Sequence, residues 1–173
     1  MKTKLKNAYM KTAKIFAELS HAKRLHVGAI IVKDDRIISI GYNGMPAGWD
    51  NTCEDRQYMD SDAGGWLDPN EIEERWPLAE WDSNTDSVLR YKLVTKSEVL
   101  HAESNAIAKL AKSTESGNNA TLFVTHSPCL DCAKLIFQSG INHVVFGQHY
   151  RDNTGLDFLK KSGVTVEQID EGA

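Results

Sequence analysis

Two short stretches of the chain constrain it more than anything else: His101-Ala102-Glu103 and Pro128-Cys129-Leu130-Asp131-Cys132. One imidazole and two thiols make three good zinc ligands. Three protein ligands leave the fourth position of a tetrahedral ion open, which is the count of a catalytic zinc rather than a closed structural one. Cys129 and Cys132 are three residues apart and share one face of a helix that starts at Pro128 or Cys129. Proline suits the first helical position, and the N–H groups of a helix N-terminus favour thiolates. His101 and Glu103 are two apart, so in a regular helix they would point in nearly opposite directions. Both reach one ion only at the irregular start of a helix, expected over 102–113. The chain must therefore bring two helix N-termini to one point. Glu103 then stands beside the ion as a proton carrier. A lone C-x-x-C also serves redox pairs and structural zinc half-sites. A redox pair has no use for H-A-E, and a structural site needs a fourth ligand. Cys53, His21, His26, His126, His143 and His149 are available, but none forms a second C-x-x-C or an H-x-x-x-H.

The 173 residues suffice for one domain with a sizeable core. A net charge of −4 argues against a general nucleic-acid binder, which needs a basic face. It leaves room for a small anionic substrate met by two or three local cations. No apolar run approaches the roughly 18 residues of a membrane span, and no signal-peptide core follows the basic first residues. Three cysteines, two of them ligands, suit a reducing cytoplasm.

Leu5, Ala8, Tyr9, Thr12, Ile15, Phe16 and Leu19 recur at helical spacing, so 4–20 reads as an amphipathic helix packed on a sheet. The run Val27–Val32 suits a buried strand, and with Ile37–Tyr42 it predicts a β-hairpin turning at Lys33–Arg36. The hairpin ends in Gly41-Tyr42-Asn43-Gly44, where Asn43 either serves the turn or offers its amide to a ligand. Residues 46–100 show weak periodicity and contain Trp49, Trp66, Trp76 and Trp81. They read as a largely irregular insertion, acting as a lid or a subunit interface or else packing peripherally on its own domain. Asp68-Pro69-Asn70-Glu71 predicts a capped short helix there, and a second short helix is expected between Asp86 and Val99. Strands are predicted at Thr121–Thr125, Val144–Gly147 and Val164–Gln168, with helices from Cys129 to about Ser139, closed by Gly140, and near 153–162. The sum is a single α/β domain, three-layer α/β/α, with a mixed sheet of about five strands: the first pair antiparallel, the rest parallel. The metal motif falls at the carboxyl end of strand 121–125, where open α/β sheets bind ligands. Arg24, Lys23, Tyr150 and Arg151 flank that mouth as candidate phosphate partners, arginine being the better bidentate donor.

Three segments together resemble the deoxycytidylate (dCMP) deaminases: residues 28–46 (GAIIVKDDRIISIGYNGMP), His101–Ala106 (HAESNA) and Thr125–Lys134 (THSPCLDCAK). The resemblance continues through Ser139–Gly147. It implies the cytidine deaminase-like fold and hydrolysis of dCMP to dUMP and ammonia, which feeds thymidylate synthesis. It further implies a homohexamer activated by dCTP with Mg²⁺ and inhibited by dTTP. Carried over by position, His101, Cys129 and Cys132 bind Zn²⁺ and Glu103 shuttles protons. Asn43, Arg24, Ala102, Ser127, Pro128 and Tyr150 contact the substrate, and Gly44, Met45 and Asp50 the effector. Some relatives hold a second, structural zinc. Here Ala22 and Lys23 stand where a ligating Cys would, and the insertion lacks His, so none is expected. The competing readings are a deaminase of another cytosine nucleoside or nucleotide, a polynucleotide deaminase with a basic channel, and a non-enzymatic module whose zinc has four protein ligands.

Overall fold

The computed structural model describes residues 1–60 and 67–169. Its frame is a five-stranded sheet built from β1 (Gly28–Lys33), β2 (Arg36–Tyr42), β6 (Thr121–His126), β7 (His143–Gln148) and β8 (Thr165–Gln168), in the order β2-β1-β6-β7-β8. The hairpin forms because Asp34 and Asp35, at φ 49 and 57, both take the left-handed conformation that a tight hairpin turn of right-twisted strands requires. β1 also pairs antiparallel with β6, whereas β6, β7 and β8 run parallel. The mixed sheet expected from the sequence is thus present, with the change of direction falling on both sides of β1.

Strand alternation divides the core into two layers. Ile30, Val32, Phe123 and Val145 point to one face and pack on Tyr9, Met10 and Ala13 of α1 (Thr3–Ala17). Ala29, Ile31, Leu122, Val124, Val144 and Phe146 point to the other. There they meet α3 (Ala102–Leu110), α4 (Leu130–Gln138) and α5 (Thr154–Lys161). These strands are buried on both faces, which explains their continuous apolar sequence. Because β1 opposes both β2 and β6, the carboxyl ends of β2, β6 and β7 and the amino end of β1 share one edge. Gly140, at φ +82, closes α4 as expected.

The insertion is more ordered than its sequence suggests. β3 (Glu54–Tyr58), β4 (Leu78–Asp82) and β5 (Ser87–Thr95) form a second antiparallel sheet, ordered β3-β5-β4. The short helix expected between Asp86 and Val99 is instead the long strand β5. Its run Val88-Leu89-Arg90-Tyr91-Lys92-Leu93-Val94 alternates between two faces, each half-covered, so neither helix nor core-strand periodicity stands out. The other expected helix is present as α2 (Pro69–Arg75), with a capping box between Asp68 and Glu71. Trp49 and Trp81 are largely exposed, Trp76 lies under the Lys92 ammonium, and Trp66 lies outside the described residues.

One close approach sets the position of α3. A Cβ on Gly41 would stand 2.1 Å from the Ala102 carbonyl oxygen and 2.6 Å from the Ala106 nitrogen. These are backbone atoms that cannot swing aside, so only glycine lets the helix seat on β2. Gly41→Ala is expected to destabilise the protein by about 1–3 kcal/mol. Gly44→Ala, where an added Cβ meets nothing within 4 Å, should stay within about 0.5 kcal/mol. Urea midpoints of the two variants check this, and equal midpoints would contradict it.

Candidate active site

The first turn of α3 carries His101 and Glu103, and that of α4 carries Cys129 and Cys132. His101 is the N-cap of α3, with extended backbone (φ −73, ψ 155), and Cys129 is the N-cap of α4 (φ −69, ψ 169). The irregular helix start demanded by the H-x-E spacing is therefore real. Pro128 sits two positions before the first helical residue, Leu130, rather than at it: it precedes the cap and is fully buried. Its carbonyl lies 2.1 Å from where a Cβ of Gly155 would stand, so the N-terminal turn of α5 is pressed against the cysteine loop.

α3 is clamped to β2 at three points. Besides the Gly41 contact, Ser39 Oγ donates to the Ala106 carbonyl at 2.7 Å and Asn105 Nδ2 donates to the Tyr42 carbonyl at 2.9 Å. These bonds give the N and A of H-A-E-x-N-A a physical purpose: they aim the first turn of α3 at the sheet edge.

His101 Nδ1 lies 3.5 Å from Cys129 Sγ and 3.4 Å from Cys132 Sγ. Zinc bonds of ordinary length, set at the tetrahedral angle, put such N and S atoms about 3.5–3.6 Å apart. The three donors thus fit a tetrahedral zinc. Among the described residues they form the one cluster of three or more His, Cys, Asp or Glu ligands. A fourth protein ligand, which a purely structural zinc would need, is not among them. Amide groups of both helices act on the sulfurs: Ser104 N–H on Cys132, and Cys132 N–H on Cys129. Hydrogen bonding, from Cys132 first and then from His101, holds the Cys129 thiol down to about 4. Cys132, the donor in that pair and more buried, is pushed up.

Glu103 is only 4% exposed. Desolvation pushes its carboxyl up to about 7, against the opposing pull of its own backbone N–H and of His101. A carboxyl poised near neutrality both accepts and returns a proton at modest cost, as a general acid–base needs.

Glu103 opens onto a cavity of about 370 Å³. Arg24, Asn43, His101, Ala102, Ser127, Cys129, Tyr150 and Arg151 of the sequence-derived set line it. Asn43 serves the fold as well as the cavity wall. Its Oδ1 accepts from Val27 N–H and its Nδ2 donates to the Leu25 carbonyl, both at 2.8 Å. Ser127 Oγ accepts the Tyr150 N–H at 2.8 Å and so seats Tyr150, with the Arg151 guanidinium 4.9 Å over the Tyr150 ring. Lys23 faces a neighbouring hollow instead, together with Asp50. Gly44 is bridged to Leu100, and Met45 packs on Ala22, Cys53 and Val99. Sequence reasoning missed Glu54, Thr95 and Val99, which bring the insertion to the cavity. The signal was a charged residue following Cys53 at the start of a strand that went unrecognised.

The profile described as the cytidine and deoxycytidylate deaminase zinc-binding region matches residues 3–148. The chain belongs to this family. The deoxycytidylate deaminase of Enterobacteria phage T4 is 38% identical over 157 residues, covering 83% of this chain and 78% of that one. That of Saccharomyces cerevisiae is 33% identical over 162 residues, covering 93% of this chain and 43% of its own. The dCMP deaminase of cyanophage S-TIM5, solved in complex with dCMP and dUMP, shares 39% identity at a TM-score of 0.73, covering 98% of this chain and 99% of that one. These comparisons bear out the resemblance carried by the sequence motifs, and the solved structure bears out the fold.

Metal analysis of the purified protein should find a single zinc per chain. Cys132→Ser should lower its affinity by at least about 100-fold, since even supporting groups around a metal are worth 10–100-fold. Full zinc retention by that variant would remove Cys132 from the ligand set.

Proposed function

We propose that this protein hydrolyses dCMP to dUMP and ammonia, with zinc held by His101, Cys129 and Cys132. The observation that carries the reading is the buried Glu103 carboxyl beside that ligand set, in a cavity that has guanidinium groups at its rim. The near full-length likeness to a phage dCMP deaminase supports the choice of substrate. Zinc in such a site supplies an acidified water and a Lewis acid. Glu103 takes a proton from the water and passes it to N3 of cytosine, which makes C4 electrophilic. The water oxygen adds at C4, Glu103 carries the proton of the resulting C4 hydroxyl to the exocyclic amine, and the C4–N bond breaks to leave the C4 carbonyl and ammonia. One carboxyl performs both transfers because they occur in sequence.

The remaining contacts are assigned by position. Ala102 and Ser127 wall the base, while Pro128, buried and absent from the cavity lining, fixes the backbone between Ser127 and Cys129; Asn43, through the amide valences its backbone bonds leave over, meets the sugar. Arg24, Tyr150 and Arg151 meet the phosphate. Further parts of the proposal are activation by dCTP with Mg²⁺, inhibition by dTTP and assembly as a homohexamer. Effector contact falls to Gly44, Met45 and Asp50. The setting is cytoplasmic, with dUMP supplied for thymidylate synthesis. No helix among the described residues is long and apolar enough to cross a membrane.

Ammonia release from dCMP, CMP, cytidine and dCTP, each with and without dCTP–Mg²⁺ or dTTP, tests the reading. Turnover of dCMP above the others, raised by dCTP and lowered by dTTP, is expected. Turnover without a nucleotide response would remove the regulation and keep the reaction. Zinc-loaded protein that turns over cytidine but not dCMP would overturn the substrate assignment.

A further inference from the structure

Arg36, Arg56 and Arg90 each pair with a carboxylate. Arg24 differs. Among the described residues its guanidinium has no carboxylate partner, and Nη1 donates to the neutral hydroxyl of Thr95 at 3.1 Å. One of its five N–H donors is thereby used, and the rest of the fork is left to the cavity that Arg24 lines.

The backbone beneath Arg24 is held just as deliberately. Glu54 Oε1 accepts the N–H of Lys23 at 2.9 Å and the N–H of Arg24 at 3.2 Å. Glu54 is only 7% exposed, and a buried carboxylate is expensive unless its oxygens are bonded. No ammonium or guanidinium pairs with it among the described residues, where the two backbone amides are its hydrogen-bond donors. Glu54 and Thr95 are direct register partners across β3 and β5. One cross-strand pair of the inserted sheet thus grips Arg24 twice: by its main chain and by its side chain.

We propose that Glu54 and Thr95 are positioning residues that make the enzyme selective for a phosphorylated nucleoside by presenting Arg24 to the phosphate. The inference rests on the dCMP reading and deepens it. It gives the insertion a function at the active site: its sheet carries the rigid strand ends that aim a flexible side chain on an otherwise irregular segment, residues 20–27. Preorganising the fork spares the entropy of ordering a long side chain when the substrate binds. The phosphate is remote from C4, so the effect belongs to binding rather than to the chemical step.

The test is steady-state kinetics with dCMP on the full-length, zinc-loaded protein and its variants, with melting temperatures measured in parallel. Glu54→Ala and Thr95→Val should each raise KM by about tenfold, the effect of losing one hydrogen bond to a charged or buried group. Their kcat should stay within about twofold. Glu54→Gln keeps an acceptor for the two amides, and Thr95→Ser keeps the hydroxyl; both should return KM close to the wild-type value. Each disruptive change combined with Arg24→Ala should cost little more than Arg24→Ala alone, because all act through one group. A fall in kcat alongside the rise in KM, an unmoved KM, or losses that multiply with Arg24→Ala would each overturn the proposal. Wild-type protein that leaves dCMP untouched would overturn the functional reading itself. Wild-type turnover with variants that break this pattern would overturn only the positioning role.

Discussion

Everything at the active site depends on two helices beginning at the same place. His101 and Cys129 are both N-caps, with extended backbone that turns their side chains away from the helix they open. Glu103 and Cys132 then follow inside the first turns, where amides point outward and the helix end is positive. That field suits thiolates and attracts the anionic partners of a dication's site. The convergence has to be paid for in packing. Gly41 lets α3 touch β2, Asn105 and Ser39 pin it there, and Gly155 lets α5 press on the cysteine loop.

The same packing gives Glu103 its chemistry. A carboxylate on the solvent side of α3 would be an ordinary acid. Buried in the first turn of α3 beside His101 and the two sulfurs, it loses water and rises toward neutrality. The cavity above it is walled by loops that leave the same edge: 22–27 before β1, Asn43 after β2, Ser127 after β6 and Tyr150 after β7. An α/β sheet with a reversed strand brings four such loops together, and each contributes a different kind of group.

The sheet and the metal ligands were legible in the sequence because their signals are local. VGAIIV and TLFVT are continuous apolar runs, the Asp34-Asp35 turn sits between two strands, and the H-x-E and C-x-x-C spacings state their own geometry. What stayed hidden was the inserted sheet. β3 and β4 are short and largely exposed, and the longer β5 is half-covered on both faces and carries Arg90 and Lys92, so no periodicity told it from a helix. Its meaning at the site is also non-local. Glu54 and Thr95 acquire a role only when β3 and β5 pair and reach back to Arg24, thirty to seventy residues away. Asn43 was legible as an important side chain, but the bonds that tie it to Leu25 and Val27 arise only when the end of β2 folds back beside the segment before β1. Lys23 and Arg24 both stood as phosphate candidates, Arg24 the better for its bidentate fork, and the fold sends them to different hollows.

The central claim is that a buried carboxyl beside a three-ligand zinc moves the protons of a hydrolytic deamination. The most direct measurement compares dUMP formation from dCMP by wild-type protein and by Glu103→Gln, with the zinc content of each preparation determined. The account predicts that the variant keeps its zinc and loses at least about 10²–10⁴-fold in kcat, the usual worth of a positioned acid–base. A zinc-replete Glu103→Gln that retains substantial turnover would contradict it.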